Sequence, residues 1–308
     1  MLSSSTLGYL WENVFLFSYI AVIGTMMAVA VGLVFYNAHL AYDLHRLEAL
    51  GKADTTTTKR PSPSPALKAS DHVNDGKYHL LLAATGSVAT IKIPNILSAL
   101  AKYENLSIRL LLSNSAAEFL RGQADEQPTL EQIAKIKNLD AIYRNADEWQ
   151  KPWVRGDSIL HIELRRWADM MVIAPLSANS LAKLALGMSH DLVSSVARAW
   201  DTTGLIDGLR EGVRLASAGR DSARKVIMVA PAMNTAMWNH PVTKRHLDLL
   251  SNDWGADSRG WFEVLQPIDK GLACGDTGGG AMKEWKEIVA AIETGFPDLR
   301  EREGAKKT

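Results

Sequence analysis

The chain has a single cysteine, Cys274, which lies in the glycine-rich stretch GLACGDTGGGAM. Glycine-rich stretches are typical of mobile surface loops, where a cysteine is poorly suited to core packing. An accessible thiol can donate a proton or act as a nucleophile; an incidental exposed cysteine is the simpler alternative. One cysteine also excludes a disulfide framework, which needs at least two.

Two further side chains could do chemistry. His161 opens the stretch HIELRRWAD, and a histidine can move a proton in either direction near neutral pH, although a lone histidine is more often structural. Asn234 lies in PAMNTAMW, and its amide can hold a carboxylate. Met237 and Trp238 could line an apolar pocket, with plain core packing as the simpler interpretation. The other seven histidines form no pair at metal-ligand spacing with a carboxylate base, so no metal is predicted.

Small polar residues follow three apolar runs, in the segments 85–88, 113–115 and 177–180. The glycine in the first segment allows close backbone approach, and helix N-termini present free N–H groups to anions. The G-x-G-x-x-G spacing of a dinucleotide site is missing, so a mononucleotide phosphate is the more natural guest. The first turn alone is equally consistent with an ordinary connection. The three segments together predict a phosphate- or ribityl-binding rim.

These segments need a scaffold that brings them to one place. Apolar runs at 77–84, 107–112, 170–174 and 225–230, with a weaker one at 262–265, predict strands. Helical patterns lie at 180–186, 192–200, 242–250 and 283–294, and another runs toward Tyr103, where Pro94 distorts the helix or sets its start. This alternation predicts an α/β fold with a doubly wound, Rossmann-like or flavodoxin-like parallel sheet in three layers. Ligands of such sheets bind beyond the carboxyl ends of the strands.

The N-terminal region has a different character. Residues 14–36 carry no charge, and about 20 apolar residues suffice to span a membrane. Basic residues follow this stretch and none precedes it, which predicts an anchor with the body on the cytoplasmic side. A buried core helix, a wrongly assigned gene start and a soluble cytoplasmic protein are the alternatives. We expect an N-terminal segment at 1–50, a linker at 51–76, the folded body at 77–297 and a disordered tail at 298–308.

Composition excludes two classes of protein. The 308 residues include 34 basic and 34 acidic side chains, and this balance argues against a nucleic-acid binder, which needs clustered Lys and Arg. The hydrophobic fraction of 47% is too high for a disordered chain.

Taken together, the motifs resemble the flavin-dependent cysteine decarboxylases, and within them the phosphopantothenoylcysteine decarboxylases of coenzyme A biosynthesis. The Pro-Ala-Met-Asn-x-x-Met-Trp motif and the Cys-Gly-Asp loop are specific, whereas the first glycine turn is not. Matching stretches cover most of 77–294 in the family's order: ATGSVATIKIPNIL, NADEW, HIELRRWADMMVIAPLSANSLAKLALG, VARAWD, VAPAMNTAMW and LACGDTGGGAM.

The resemblance implies a role for each matching residue. His161 matches the active-site histidine, and Cys274 matches the proton donor on a flexible flap. Asn234, Met237 and Ala273 match substrate-binding positions. Family members form homotrimers with FMN at a subunit boundary, so His161 is expected to serve a site shared with Asn234 of a neighbour. The positions that match FMN contacts are Gly86, Ser87, Val88, Ser113, Ser115, Ser177, Ala178, Asn179, Ser180 and Ala232.

The implied reaction converts 4′-phosphopantothenoylcysteine to 4′-phosphopantetheine. The cofactor FMN oxidises the substrate to a thioaldehyde, CO2 is lost, and the product is re-reduced. Two alternatives share the fold: a regulatory subunit that inhibits a protein phosphatase, and a peptidyl-cysteine decarboxylase. The chain departs from the family pattern in its anchor and linker, in Pro94, and in two polar segments at 122–137 and 202–224, the second of which is expected to be a surface insertion.

Overall fold

The computed structural model describes residues 67–216, 224–271 and 277–299. The predicted membrane span at 14–36, residues 51–66 of the predicted linker, the last nine residues of the predicted tail, Ala273 and Cys274 all lie outside this set. Within the described residues, no helix combines the length and the apolar character needed to cross a membrane.

A six-stranded parallel sheet forms the centre of the molecule. The strands are β1 Tyr78–Ala84, β2 Leu106–Leu112, β3 Leu139–Arg144, β4 Met170–Leu176, β5 Val226–Pro231 and β6 Phe262–Val264. Strands β1, β2, β4 and β5 are buried along their whole length, as strands covered on both faces must be. The spatial order is β3-β2-β1-β4-β5-β6, which is the Rossmann order rather than the flavodoxin order.

Helices cover both faces of this sheet. The helices are α1 Ile93–Leu100, α2 Asn114–Ala117, α3 Leu130–Ile133, α4 Leu160–Trp167, α5 Ala178–Ala185, α6 Leu192–Arg198, α7 Thr235–Trp238, α8 Pro241–Asp248 and α9 Trp285–Gly295. Successive side chains of a strand point to opposite faces. Leu80 and Leu82 of β1 therefore pack against α1 and α9, whereas Leu81 and Ala83 pack against α4, α5 and α6. This confirms the α/β prediction and its three layers.

Pro94 sets the start of its helix. A 3-10 turn at Val88–Lys92 follows β1, and α1 begins directly after it with Pro94 in its first turn. The first-turn N–H groups of a helix have no intrahelical partner, so proline costs nothing there. The predicted distortion of the helix interior is therefore absent from α1.

Several elements have no counterpart in the sequence prediction, among them β3, α4 and a hairpin in the glycine-rich stretch. Strand β3 lies at the sheet edge and alternates buried with more exposed residues, so it has no continuous apolar run. Helix α4 carries Arg165 and Arg166 in its last turn, and this polarity is the reason that the sequence pattern did not predict it as a helix. The glycine-rich stretch, expected to be a loop throughout, pairs as an antiparallel hairpin of β7 (Ile268–Gly271) and β8 (Thr277–Ala281), on either side of the undescribed residues 272–276.

Packing begins ahead of the predicted boundary at residue 77. Leu67 and Ala69 are buried against the layer that contains α4. The backbone N–H of Ala69 donates to Glu163 Oε2 of α4 at 2.7 Å, and a 3-10 turn at Ala69–His72 follows. The last part of the predicted linker is thus attached to the body.

The predicted surface insertion is tied down at both of its described ends. The carboxylate of Asp201 accepts hydrogen bonds from the backbone N–H groups of Thr203, Gly204, Ile206 and Asp207, and these hydrogen bonds hold its pKa well below the usual range although burial opposes them. Leu215 is buried in the main core. Residues 217–223 lie outside the described set.

Candidate functional site

The carboxyl ends of β1, β2 and β4 carry three serine caps. Ser87 Oγ accepts from the N–H of Ala89, Ser113 Oγ from Ala116 and Ser177 Oγ from Ser180. Serine is a favoured cap because its short side chain reaches the free N–H groups of the next turn. The three turns meet at the crevice where the strand order reverses, which is the usual ligand position in such sheets.

A cavity of about 430 Å³ lies at this edge, within the size range of small-molecule and cofactor sites. Eight of the residues proposed from the sequence line it: Gly86, Ser113, Ser115, Ser177, Ala178, Asn179, Ser180 and Met237. Five others proposed from the sequence are described but are absent from the cavity wall: Ser87, Val88, His161, Ala232 and Asn234.

Gly86 is required by close approach of two loops. A Cβ atom at this position would lie 2.7 Å from Ser115 Cβ. Thr85 joins the β1 loop to the β4 loop, because its Oγ1 donates to the carbonyl of Pro175 at 3.0 Å and accepts from the N–H of Ser177 at 2.7 Å. This part of the cavity wall, formed by the loops at Gly86, Ser115 and Ser177, is therefore built from backbone and short side chains held at fixed positions.

The cavity wall also includes residues that sequence reasoning missed. Lys183 and Asp191 form an ion pair at 2.5 Å, and the Asp191 carboxylate caps α6 through the N–H of Ser194. Burial raises the pKa of Asp191, but hydrogen bonds from Lys183 and Ser194 outweigh burial and hold it below its ordinary value. The D-x-x-S cap before an apolar helix was the available sequence evidence. The wall also contains Asn114, Asn145 and His190.

Asn234 lies at the start of α7, after β5. Its Oδ1 accepts from the N–H of Met237 at 2.8 Å, so the side chain is fixed as a helix cap. Because Oδ1 is engaged in the cap, the Nδ2 group is the part of this amide that can donate to a carboxylate oxygen. The Met237 side chain is 51% exposed and lines the cavity, which contradicts its interpretation as core packing.

The β7–β8 hairpin starts beside the Asn234 helix. The backbone N–H of Met233 donates to the carbonyl of Gly280 at 2.9 Å, and a Cβ at Gly280 would lie 2.7 Å from Met233 O. Gly280 also has a φ of +106°, which favours glycine. Strand β8 is thus held next to the Asn234 helix, whereas Ala273 and Cys274 lie outside the described set.

His161 lies in the first turn of α4 and is not among the residues that line this cavity. Its Nδ1 lies 2.7 Å from Glu148 Oε1, and the histidine side chain is 24% exposed. Within one chain, the structure therefore brings Met237 to the cavity but leaves His161 outside its wall.

A second polar cluster occupies the opposite edge of the sheet. Ligand atoms of His72, Asp75 and His79 lie within 4.8 Å of one another, an arrangement that the sequence prediction of no metal pair did not foresee. The guanidinium of Arg210 lies 3.5 Å from Asp75 Oδ1, and that of Arg109 lies 3.5 Å from His72 Nε2. These two positive charges oppose a divalent cation, which favours a structural role for the cluster.

The comparisons with known proteins agree with this geometry. The Flavoprotein family model matches residues 68–296. A probable phosphopantothenoylcysteine decarboxylase of Arabidopsis thaliana is 41% identical over 216 residues, which are 70% of this chain and 87% of the plant protein. The chain spans only 29% and 35% of the length of two fungal relatives, from Schizosaccharomyces pombe and Saccharomyces cerevisiae, that are each 38% identical to it.

Two solved structures are similar over nearly their whole length. A PPC decarboxylase mutant complexed with pantothenoylaminoethenethiol is 38% identical, with a TM-score of 0.54, over 70% of this chain and 97% of that one. The FMN binding protein AtHal3 is 39% identical, with a TM-score of 0.51, over 70% of this chain and 95% of that one. The extent of these matches and the shared sheet show that the chain belongs to the flavoprotein family.

Proposed function

We propose that the protein catalyses the FMN-dependent decarboxylation of 4′-phosphopantothenoylcysteine to 4′-phosphopantetheine. The observation that carries the proposal is the polar cavity at the carboxyl edge of the sheet, with Met237 of the Asn234 helix in its wall. Its serine caps and the close approach at Gly86 suit a phosphate and a ribityl chain, and the plant relative bears the name of this activity.

Each protein group has a task that its position supports. The residues that line the cavity would hold FMN, which would supply a two-electron hydride acceptor and donor for the carbon next to the substrate thiol. The Nδ2 donors of Asn234 hold the substrate carboxylate, which fixes the bond that breaks. Cys274, which lies between β7 and β8 in the sequence, protonates the carbon that results from CO2 loss, and Ala273 contacts the substrate. His161 moves a proton through its imidazole.

The active assembly in this proposal is a homotrimer. His161 is absent from the cavity wall of its own chain. Its partner Glu148 directly follows the turn Asn145–Asp147, and Asn145 at the start of that turn does line the cavity. A neighbouring copy that supplies His161 would complete the site.

The segment 14–36 is likewise proposed to anchor the body on the cytoplasmic face of a membrane. This proposal rests on the length of its uncharged stretch.

The test uses the full chain. Purified protein should carry FMN and release CO2 from phosphopantothenoylcysteine in preference to a cysteine-ended peptide. His161→Asn and Asn234→Asp should abolish CO2 release while FMN is retained, and Cys274→Ser should accumulate the oxidised intermediate. Normal turnover in any of the three variants would refute the role assigned to that residue, and a flavin-free protein would refute the proposal as a whole.

A further inference from the structure

Glu148 is buried beside His161 and is used by no step described above. Its side chain is 8% exposed, its Oε1 lies 2.7 Å from His161 Nδ1, and its Oε2 is buried without a hydrogen-bond partner among the described residues. A carboxylate away from water is costly unless it is paired, so this position requires a constant partner.

The chemistry of the contact fixes the histidine tautomer. A carboxylate oxygen only accepts hydrogen bonds, so the proton in the Glu148–His161 contact belongs to Nδ1. The Nε2 atom of the neutral ring then carries the lone pair. The partner of one ring nitrogen decides in this way which nitrogen is free to exchange a proton.

The backbone that leads into Glu148 is held at two points. Asp147 Oδ2 accepts from the N–H of Arg144 at 2.6 Å, which closes the 3-10 turn Asn145–Asp147. Asn145 Oδ1 accepts from the N–H of Leu192 at 3.2 Å, which ties the same turn to α6. Glu148 follows this braced turn directly, so its carboxylate has a fixed position from which to orient the imidazole.

We infer that Glu148 is the positioning residue of His161: it keeps the proton on Nδ1 and leaves Nε2 as the nitrogen that exchanges a proton with the reacting molecule. The activity consequence rests on the proposed function, whereas the tautomer consequence does not. Loss of the orienting partner of a metal-bound histidine lowers activity by roughly 10- to 100-fold, and we expect a loss of similar size for this orienting contact.

The experiment compares Glu148→Ala with Glu148→Asp, whose carboxylate is one methylene too short, in the full chain with FMN bound. The 15N shifts of the His161 ring, assigned by their loss in His161→Asn, should show protonated Nδ1 and unprotonated Nε2 in the wild type at alkaline pH. Both variants should lose this tautomer preference. Their kcat should fall roughly 10- to 100-fold, with FMN content and KM unchanged.

Glu287→Ala is the matched control, because it removes an exposed glutamate of α9 that forms an ion pair with Lys283. It should leave both the ring shifts and kcat unchanged. Unaltered His161 shifts in Glu148→Ala would overturn the inference, as would wild-type kcat in that variant while His161→Asn is inactive. Full turnover in His161→Asn would instead contradict the proposed role of His161, and the ring shifts would still decide the role of Glu148.

Discussion

The two edges of the sheet hold polar groups in opposite ways. At the carboxyl edge, serine caps and Asn179 surround an open cavity. At the amino edge, Asp169 is fully buried and both its oxygens bond the Arg210 guanidinium, at 3.0 and 2.6 Å. Apart from the Lys183–Asp191 ion pair, the carboxyl edge uses short neutral side chains that a ligand can reach, whereas the amino edge uses full charges that the protein itself neutralises.

The charged side chains at the amino edge hydrogen-bond segments that are far apart in the sequence. Arg210 also donates to the backbone carbonyls of His72 and Lys77, which ties the segment after residue 201 to the entrance of β1. Lys225 donates to the carbonyl of Arg166 at 3.0 Å, and burial lowers the pKa of Lys225 to about 8. The amino edge thus holds the fold together, whereas the carboxyl edge leaves its polar groups open to a ligand.

The largest expected effect follows from breaking the amino edge. Arg210→Ala leaves the Asp169 carboxylate buried without its counter-charge, which should lower the free energy of unfolding by about 3–5 kcal/mol. Urea denaturation measures this loss. Lys244→Ala breaks the exposed pair with Asp248 and should cost less than about 1 kcal/mol. Equal losses in both variants would contradict the comparison, as would FMN loss in folded Arg210→Ala protein.

The next effect tests the carboxyl edge. Gly86→Ala places a methyl group 2.7 Å from Ser115 Cβ, and overpacking of this kind costs about 1–3 kcal/mol. If this free energy is lost from FMN binding at the cavity wall, FMN affinity should drop by roughly one to two orders of magnitude. Flavin titration of the apoprotein measures this change. The double variant Gly86→Ala/Ser115→Gly should bind FMN as tightly as Ser115→Gly alone, and weaker binding by the double variant would show that the loop contact is not the cause.

The smallest effect is a pH dependence that belongs to the amino edge alone. Burial, assisted by the charge of Arg210, lowers the pKa of His79 below its ordinary value of 6.5, although Asp169 and Asp75 oppose the shift. The unfolded chain therefore binds a proton at higher pH than the folded one. Stability is full above pH 6.5 and is lost as pH falls from there through the folded pKa, by at most about 1.4 kcal/mol per pH unit.

His79→Gln should remove this slope from the pH dependence of the urea midpoint just below pH 6.5. His246→Gln, on helix α8, is the control and should retain the slope. An unchanged slope in His79→Gln would assign the pH dependence to other groups.

The sequence was informative where one local rule dominated. Leu80–Leu82 and Met171–Ile173 are continuous apolar runs that only a doubly covered strand explains. The serine caps followed from their position after such runs. The sequence was uninformative where burial depends on distant partners: β3 alternates because it is an edge strand, and no local pattern announces that.

The sequence by itself determined the alternation of strands and helices, the polar segments after β1, β2 and β4, and the motifs that resemble the decarboxylases. Only the tertiary structure decided which of these residues share a cavity, because the distances between loops depend on strand order and on close approaches such as Gly86 to Ser115. It also decided the Lys183–Asp191 pair, the Glu148–His161 contact and the burial of Asp169 against Arg210. Each joins residues that are separated along the chain, and chain folding sets such contacts where local sequence preference does not.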